Sequence, residues 1–216
     1  MKRFRFLDFF LLLTLAMTTI VFKSCEEGYV SNSNGGSSAT DKGVMINGVK
    51  WATRNVDNPG TFTANPEDAG MFYQWNRKVA YAATGSASNW DKSNPTGNAW
   101  EKANDPCSAG WRVPTRNEIQ TLNSENVSHE WTSVDGINGR RFIDKASGNS
   151  IFLPAAGYRD FEYGGALDEV GLVGGYWSST RFDGDTAEGL AFDSDRADWE
   201  DFYRKYGLNV RCVAEQ

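Results

Sequence analysis

An α+β domain with short strands, few helices and long ordered loops is what this chain predicts, on three observations. Apolar residues recur two apart over short stretches, as at Leu190 and Phe192 or Leu208 and Val210, the spacing of strands with one buried face. One helix start is explicit, at Thr115-Arg116-Asn117-Glu118. Stretches rich in Gly, Asn and Ser separate the runs, with eight tryptophans to pack against them.

The chain opens on a processing segment. Met1-Lys2-Arg3-Phe4-Arg5 is basic, Phe6 to Phe22 is apolar apart from Asp8 and three threonines, and Cys25 follows a small Ser24. The pattern predicts a lipoprotein signal over 1–24, with Cys25 acylated as the new N-terminus and the protein lipid-anchored at the outer membrane. Ordinary signal cleavage and an uncleaved anchor are the alternatives, although 17 residues are marginal for a span. All three put the domain outside the cytoplasm. Residues 25–42 are polar and rich in Ser, Asn and Gly, so they predict a flexible tether. From 43 to 216 there is one domain, with no second linker and no internal repeat.

Without residues 1–24 the chain carries 18 Lys and Arg against 27 Asp and Glu, a net charge of −9. Such an acidic exported domain is a poor ligand for nucleic acid or anionic lipid, and neither is expected as a partner. With Cys25 lipidated, Cys107 and Cys212 remain, an even pair in an oxidising compartment. A disulfide between them is expected, with two buried thiols as the alternative.

Along the domain, Val44 to Trp51 predicts a hairpin around Asn47-Gly48, a strong type I′ signal. Met71 to Trp75 is a short aromatic strand or helix start, and 86–104 an irregular loop. Thr115 and Glu118 form a capping box for a helix ending near Ser124 or Glu125, with Ile119 and Leu122 on its apolar stripe. Strands are then expected at Arg141 to Asp144, at Ser150 to Pro154 and in the C-terminal stretch.

Four motifs are specific in combination: Asp105-Pro106-Cys107-Ser108-Ala109-Gly110-Trp111-Arg112-Val113-Pro114-Thr115, Phe152-Leu153-Pro154-Ala155-Ala156-Gly157-Tyr158-Arg159, Gly175-Tyr176-Trp177-Ser178-Ser179-Thr180, and Val210-Arg211-Cys212-Val213. Together with Gly70 to Lys78 and Trp100-Glu101-Lys102, they resemble the Fibrobacter succinogenes major paralogous domain family, abundant in secreted lipoproteins of Bacteroidetes. The resemblance covers residues 43–213. It implies a C-type-lectin-like fold, and a variable, exposed face between the Trp-Ser-Ser motif and the terminal motif. Glu26-Glu27 after Cys25 is similar to surface-export signals of such lipoproteins.

That segment has its own chemistry. From Arg181 to Asn209, 29 residues include eight acidic, four basic and six aromatic side chains. Aromatic rings beside Arg and Asp supply contact area and directional hydrogen bonds, the composition of recognition surfaces. The candidate ligand-binding residues are Arg181, Asp183, Asp185, Asp193, Asp195, Arg196, Asp198, Trp199, Asp201, Tyr203 and Tyr206, with Phe182 and Glu188 as further surface positions. Phe202 is expected to be buried. Trp111, Trp177 and Tyr158 read as core aromatics, and Arg112, Arg159 and Arg211 as ties between loops.

Asp183-Gly184-Asp185 and Asp193-Ser194-Asp195 place carboxylates two apart, yet neither continues into an EF-hand loop. The Glu-Pro-Asn and Trp-Asn-Asp triplets of sugar-binding C-type lectins are missing. The lone histidine, His129, reads as a solvated loop position with no orienting partner for Ser/His/Asp chemistry. The expectation is a non-catalytic, cofactor-free and metal-free binding domain for an extracellular protein or glycan. A structural subunit of a surface appendage or envelope complex, or a retroelement-diversified receptor, are the alternatives.

Overall fold

Asn47 and Gly48 take positive φ of 46° and 81°, so the dipeptide makes the expected tight turn between β1 (Val44–Ile46) and β2 (Val49–Trp51). The structure is a computed structural model that describes residues 40–215. The signal segment 1–24, Cys25 and the tether up to residue 39 lie outside the described residues. β2 pairs with the C-terminal strand β15 (Val213–Ala214), which pairs with β5 (Trp111–Arg112), closing a four-stranded sheet. A five-stranded sheet runs β10 (Ala166–Asp168), β9 (Tyr158–Asp160), β14 (Gly207–Leu208), β3 (Phe72–Gln74), β4 (Ala80–Tyr81). Two antiparallel three-stranded sheets complete the domain. One holds β6 (Val127–Val134), β7 (Ile137–Asp144) and β8 (Ser150–Pro154); the other holds β11 (Gly174–Arg181), β12 (Thr186–Phe192) and β13 (Ala197–Tyr203).

Helix is limited to α1 (Arg116–Thr121) and a three-residue 3-10 turn at Lys102–Asn104, against fifteen strands among the described residues. The expected α+β, C-type-lectin-like architecture is therefore wrong. The domain is mostly β, sandwich-like, with curled sheets. Thr115 does cap α1 as expected: its hydroxyl accepts the Glu118 N–H at 3.3 Å, and Glu118 Oε2 accepts the Thr115 N–H at 2.7 Å. The helix stops at Thr121, however, short of Ser124, where Asn47 Nδ2 from the β1–β2 turn donates to the Thr121 carbonyl at 3.2 Å and to the Ser124 hydroxyl at 2.9 Å. The chain then turns to strand: Asp135 and Gly136, at φ 47° and 81°, repeat the Asn-Gly turn chemistry and fold 127–144 into a hairpin. His129 thus sits in β6, not in a loop.

The core lies on both sides of the β11–β13 sheet. On one side Tyr176, Leu190 and Phe192 pack with Ile119 and Leu122 of α1 and with Phe142, Ile151 and Leu153 of the β6–β8 sheet. On the other, Trp177 and Ala187 pack with Tyr73, Trp75, Leu208 and Val210. Trp177 Nε1 donates to the Tyr73 carbonyl at 2.7 Å and Trp75 Nε1 to the Ser178 carbonyl at 2.9 Å, so each large ring also places its polar edge. Trp111, Trp177 and Tyr158 are all buried.

The motif arginines tie loops, as their positions suggested. Arg211 is fully buried and donates to Asn55 Oδ1 at 2.9 Å, the Ala52 carbonyl at 3.2 Å and the Phe152 carbonyl at 3.1 Å. Burial pushes its pKa down to about 10, against the pull of Tyr176 and Asp41, so it still carries its charge at neutral pH. Arg159, also buried, donates to the Ala82, Thr84, Gly85 and Gly165 carbonyls. Arg112 pairs with Glu118 in a two-point bridge of 2.8 and 2.6 Å that steadies the start of α1. Cys107 and Cys212 are joined in a disulfide, across 105 residues of sequence.

A candidate aromatic and acidic binding face

Every residue of β12 is buried, although only Leu190 and Phe192 are large and apolar. Its other face is Ala187, Gly189 and Ala191, small enough for neighbouring rings to approach. A methyl group on Gly189 would lie 2.5 Å from the Tyr176 carbonyl oxygen and 3.2 Å from the Phe202 ring. Phe202, expected to be buried, is only half-buried; it meets Trp177 edge to face with centroids 5.8 Å apart. β13 is consequently the outer strand of a sheet whose middle is fixed on both faces. Its exposed residues are Asp198, Trp199, Asp201 and Tyr203.

The predicted residues divide into three groups. The first builds the two hairpin turns. Asp183 Oδ1 accepts the backbone N–H groups of Asp185 and Thr186 and the Thr186 hydroxyl, each at 2.9 Å. These donors, the Asp185 amide foremost, hold the carboxyl below the usual carboxylate range. Asp193 does the same in the next turn, taking the amides of Asp195 at 2.8 Å and Arg196 at 2.9 Å. The two Asp-x-Asp pairs are thus turn-forming, with each first carboxylate turned onto its own backbone. Asp185 accepts from Asn94 Nδ2 at 2.9 Å, and Asp195 from the Ser194 hydroxyl at 3.2 Å. Arg181 is held by the Asp183 carbonyl and Asn98, Arg196 lies 4.0 Å from the Asp193 carboxylate, and Phe182 is 57% exposed at the tip of the first turn.

The second group centres on Trp199, 40% exposed. Its ring stacks on the Arg116 guanidinium, 4.2 Å from centroid to Cζ, and Arg116 Nη1 pairs with Glu188 Oε1 at 3.0 Å. Glu188 is a correction to the expected surface set. It is 2% exposed because it lies on the central strand, across from Asp201 and beneath α1. Burial pushes its carboxyl up, against the pull of Arg116, and its Oε2 is buried without a hydrogen-bond partner among the described residues.

The third group is an aromatic corner. Tyr203, 51% exposed, lies 5.7 Å from Phe161 and 6.4 Å from Tyr206. Tyr206 meets Phe161 at 5.0 Å and Tyr158 at 5.5 Å, both edge to face. Lys205 Nζ sits 4.6 Å over Phe161. Burial, then the carboxylates of Asp160 and Glu162, push the Tyr206 phenol up, so it remains a hydrogen-bond donor at any physiological pH. Tyr158 is raised likewise by burial and by Asp168, whose Oδ2 accepts its hydroxyl at 3.2 Å.

Phe161, Lys205 and Arg116 were not among the expected contact residues. Phe161-Glu162-Tyr163 before Gly164-Gly165 repeats the aromatic-and-acid composition of 181–206 and is the signal that points to the corner. His129 has a partner after all. Its Nδ1 lies 2.7 Å from Arg140 Nη1, and Arg140 Nη2 donates to the Asp193 carbonyl at 2.6 Å, tethering the β12–β13 turn. Among the described residues no group of three His, Cys, Asp or Glu side chains could hold a metal ion, and no helix is long and apolar enough to cross a membrane. The face can stack planar groups, attract cations and exchange hydrogen bonds. No family model, curated protein or solved structure matches the chain.

Proposed function

We propose that the chain is a non-catalytic recognition module, lipid-anchored at the outer membrane through Cys25, that binds an extracellular protein or glycan through β13 and the Tyr203–Tyr206 corner. The observation carrying this reading is the contrast between neighbouring strands. β12 is buried along its whole length, while β13 beside it leaves Trp199, Asp201 and Tyr203 in solvent. Exposed aromatic side chains on a rigid support lose little freedom when they bind, which is why such residues dominate contact energies. The motif resemblance to the Fibrobacter succinogenes major paralogous domain family supports the same reading, as does the signal-like start of the chain.

The test is a glycan and protein array probed with the purified protein and with Tyr203→Ala. The proposal expects at least one class of ligand retained by the parent protein and lost by the variant, with the unfolding midpoint nearly unchanged. Equal binding by both would move the site elsewhere on the molecule.

A further inference from the structure

β13 has one neighbouring strand among the described residues, β12, and its other edge is open. The turn before it closes with the Asp193 N–H on the Arg196 carbonyl at 3.0 Å, and pairing continues as Ala191 with Asp198, Gly189 with Glu200 and Ala187 with Phe202. By the alternation of antiparallel pairing, these residues direct their backbone groups toward β12, while Ala197, Trp199, Asp201 and Tyr203 direct theirs outward. Two outward groups have local partners. The Trp199 N–H donates to Asp198 Oδ1 at 2.8 Å, and the Tyr203 carbonyl accepts the Tyr206 N–H at 2.9 Å. The Trp199 carbonyl and the backbone groups of Asp201 face no strand among the described residues. A row of donors and acceptors at strand spacing matches an extended polypeptide, and a sugar ring does not reproduce it.

The charge along this edge selects the partner. Asp198 and Glu200 lie on one face and Asp201 on the other, so a second copy of β13 would set carboxylate against carboxylate. Asp201 lies across from Glu188, whose second oxygen is buried with no hydrogen-bond partner among the described residues. The rings at both ends already carry cations from the chain itself: Arg116 on Trp199, and Lys205 on Phe161 next to Tyr203.

We propose that β13 takes up an extended, lysine- and arginine-rich polypeptide segment by strand addition. Its basic side chains fall against Asp198 and Glu200 on one face and Asp201 on the other. This rests on the recognition reading above and narrows its ligand to one class.

The full-length protein is titrated calorimetrically with a peptide of about ten residues in which pairs of lysines alternate with pairs of valines, enough to span the strand and to present lysine on both of its faces. Its glutamate–valine counterpart, and the lysine peptide backbone-methylated at alternate nitrogens in each of the two frames, serve as comparisons. The lysine peptide should bind, its affinity falling with added salt, and the glutamate peptide should not. Methylation in one frame, and the double variant Asp198→Asn with Asp201→Asn, should each weaken binding about tenfold or more. Asp198→Asn keeps a side-chain oxygen for the Trp199 amide, and Glu200→Gln supplies an independent variant. Binding of the glutamate peptide, indifference to methylation in both frames, or indifference to the charge variants overturns strand addition. If the lysine peptide fails to bind while an oligosaccharide binds and is lost with Tyr203→Ala, this inference falls and the recognition reading stands. If neither binds, both fall.

Discussion

Replacing Trp199 by alanine tests whether the exposed face and the core are coupled through Arg116. The ring is 40% exposed, so more than half of it is covered. Roughly 100 Å² of apolar surface at about 25 cal/mol/Å² gives an upper bound of about 2.5 kcal/mol for its packing. Stacking on Arg116 adds about 0.5–1 kcal/mol at a partly exposed site. The expected loss is therefore about 2–3 kcal/mol, a fall in Tm of roughly 4–12 °C for a domain of this size. Tyr203 is more exposed and carries no buried ion pair, so Tyr203→Ala should cost about 1 kcal/mol or less.

A double-mutant cycle with Arg116→Ala separates the ring–guanidinium contact from simple loss of area. Arg116→Ala alone should be costly, because it leaves Glu188 buried without its partner. The coupling between the two substitutions should be about 0.5–2 kcal/mol by chemical unfolding. A coupling within about 0.3 kcal/mol of zero would refute the argument that Trp199 holds Arg116 over Glu188.

Burial, and then the Arg140 guanidinium, hold His129 below the ordinary histidine value of about 6.5, so in that window the folded protein binds fewer protons than the unfolded chain. Its contribution is complete above that value and lost as pH falls through the window; His129→Gln should flatten the decline in urea midpoint between pH 7.5 and 5. Gly189→Ala should destabilise by about 1–3 kcal/mol, since its methyl group would meet the Tyr176 carbonyl oxygen and backbone cannot give way as a side chain can; thermal unfolding measures it. Reducing the Cys107–Cys212 bond should lower stability by up to about 4–5 kcal/mol, read as a denaturation midpoint with and without reductant. Arg211→Lys should cost about 2–4 kcal/mol despite keeping the charge, because one ammonium cannot reach Asn55, Ala52 and Phe152 together.

What the chain declares openly is local. Asn47-Gly48, the Thr115–Glu118 box and the pair Cys107 and Cys212 each depend on a few residues or a count, and each stands in the structure. The fold class did not follow, because several of its strands, unlike Leu190 to Phe192, carry no apolar alternation. Val127–Val134 is polar because most of it faces water, and it becomes a strand through its pairing with Ile137–Asp144. Ala187, Gly189 and Ala191 look like no core at all, yet they are interior because Trp177 and Phe202 need the room.

The same displacement explains the site. Composition placed Trp199, Asp198, Asp201 and Tyr203 in solvent correctly. It also placed Glu188 there, since nothing in the sequence distinguishes a carboxylate on the middle strand from one on the outer strand. Nor does it distinguish Asp183 and Asp193, each turned onto two amides of its own turn, from Asp201, which is exposed on the outer strand. Arg116 and Phe161 reach the face from α1 and from the β9–β10 connection, so only the tertiary fold brings them there. β12 has a strand at each edge; one of them, β11, meets further backbone at Ala99, Gly157 and Asn209, and the other has an open outer edge among the described residues. β13 is that strand, and its carboxylates both keep copies of the chain from pairing there and leave the edge suited to a partner of opposite charge.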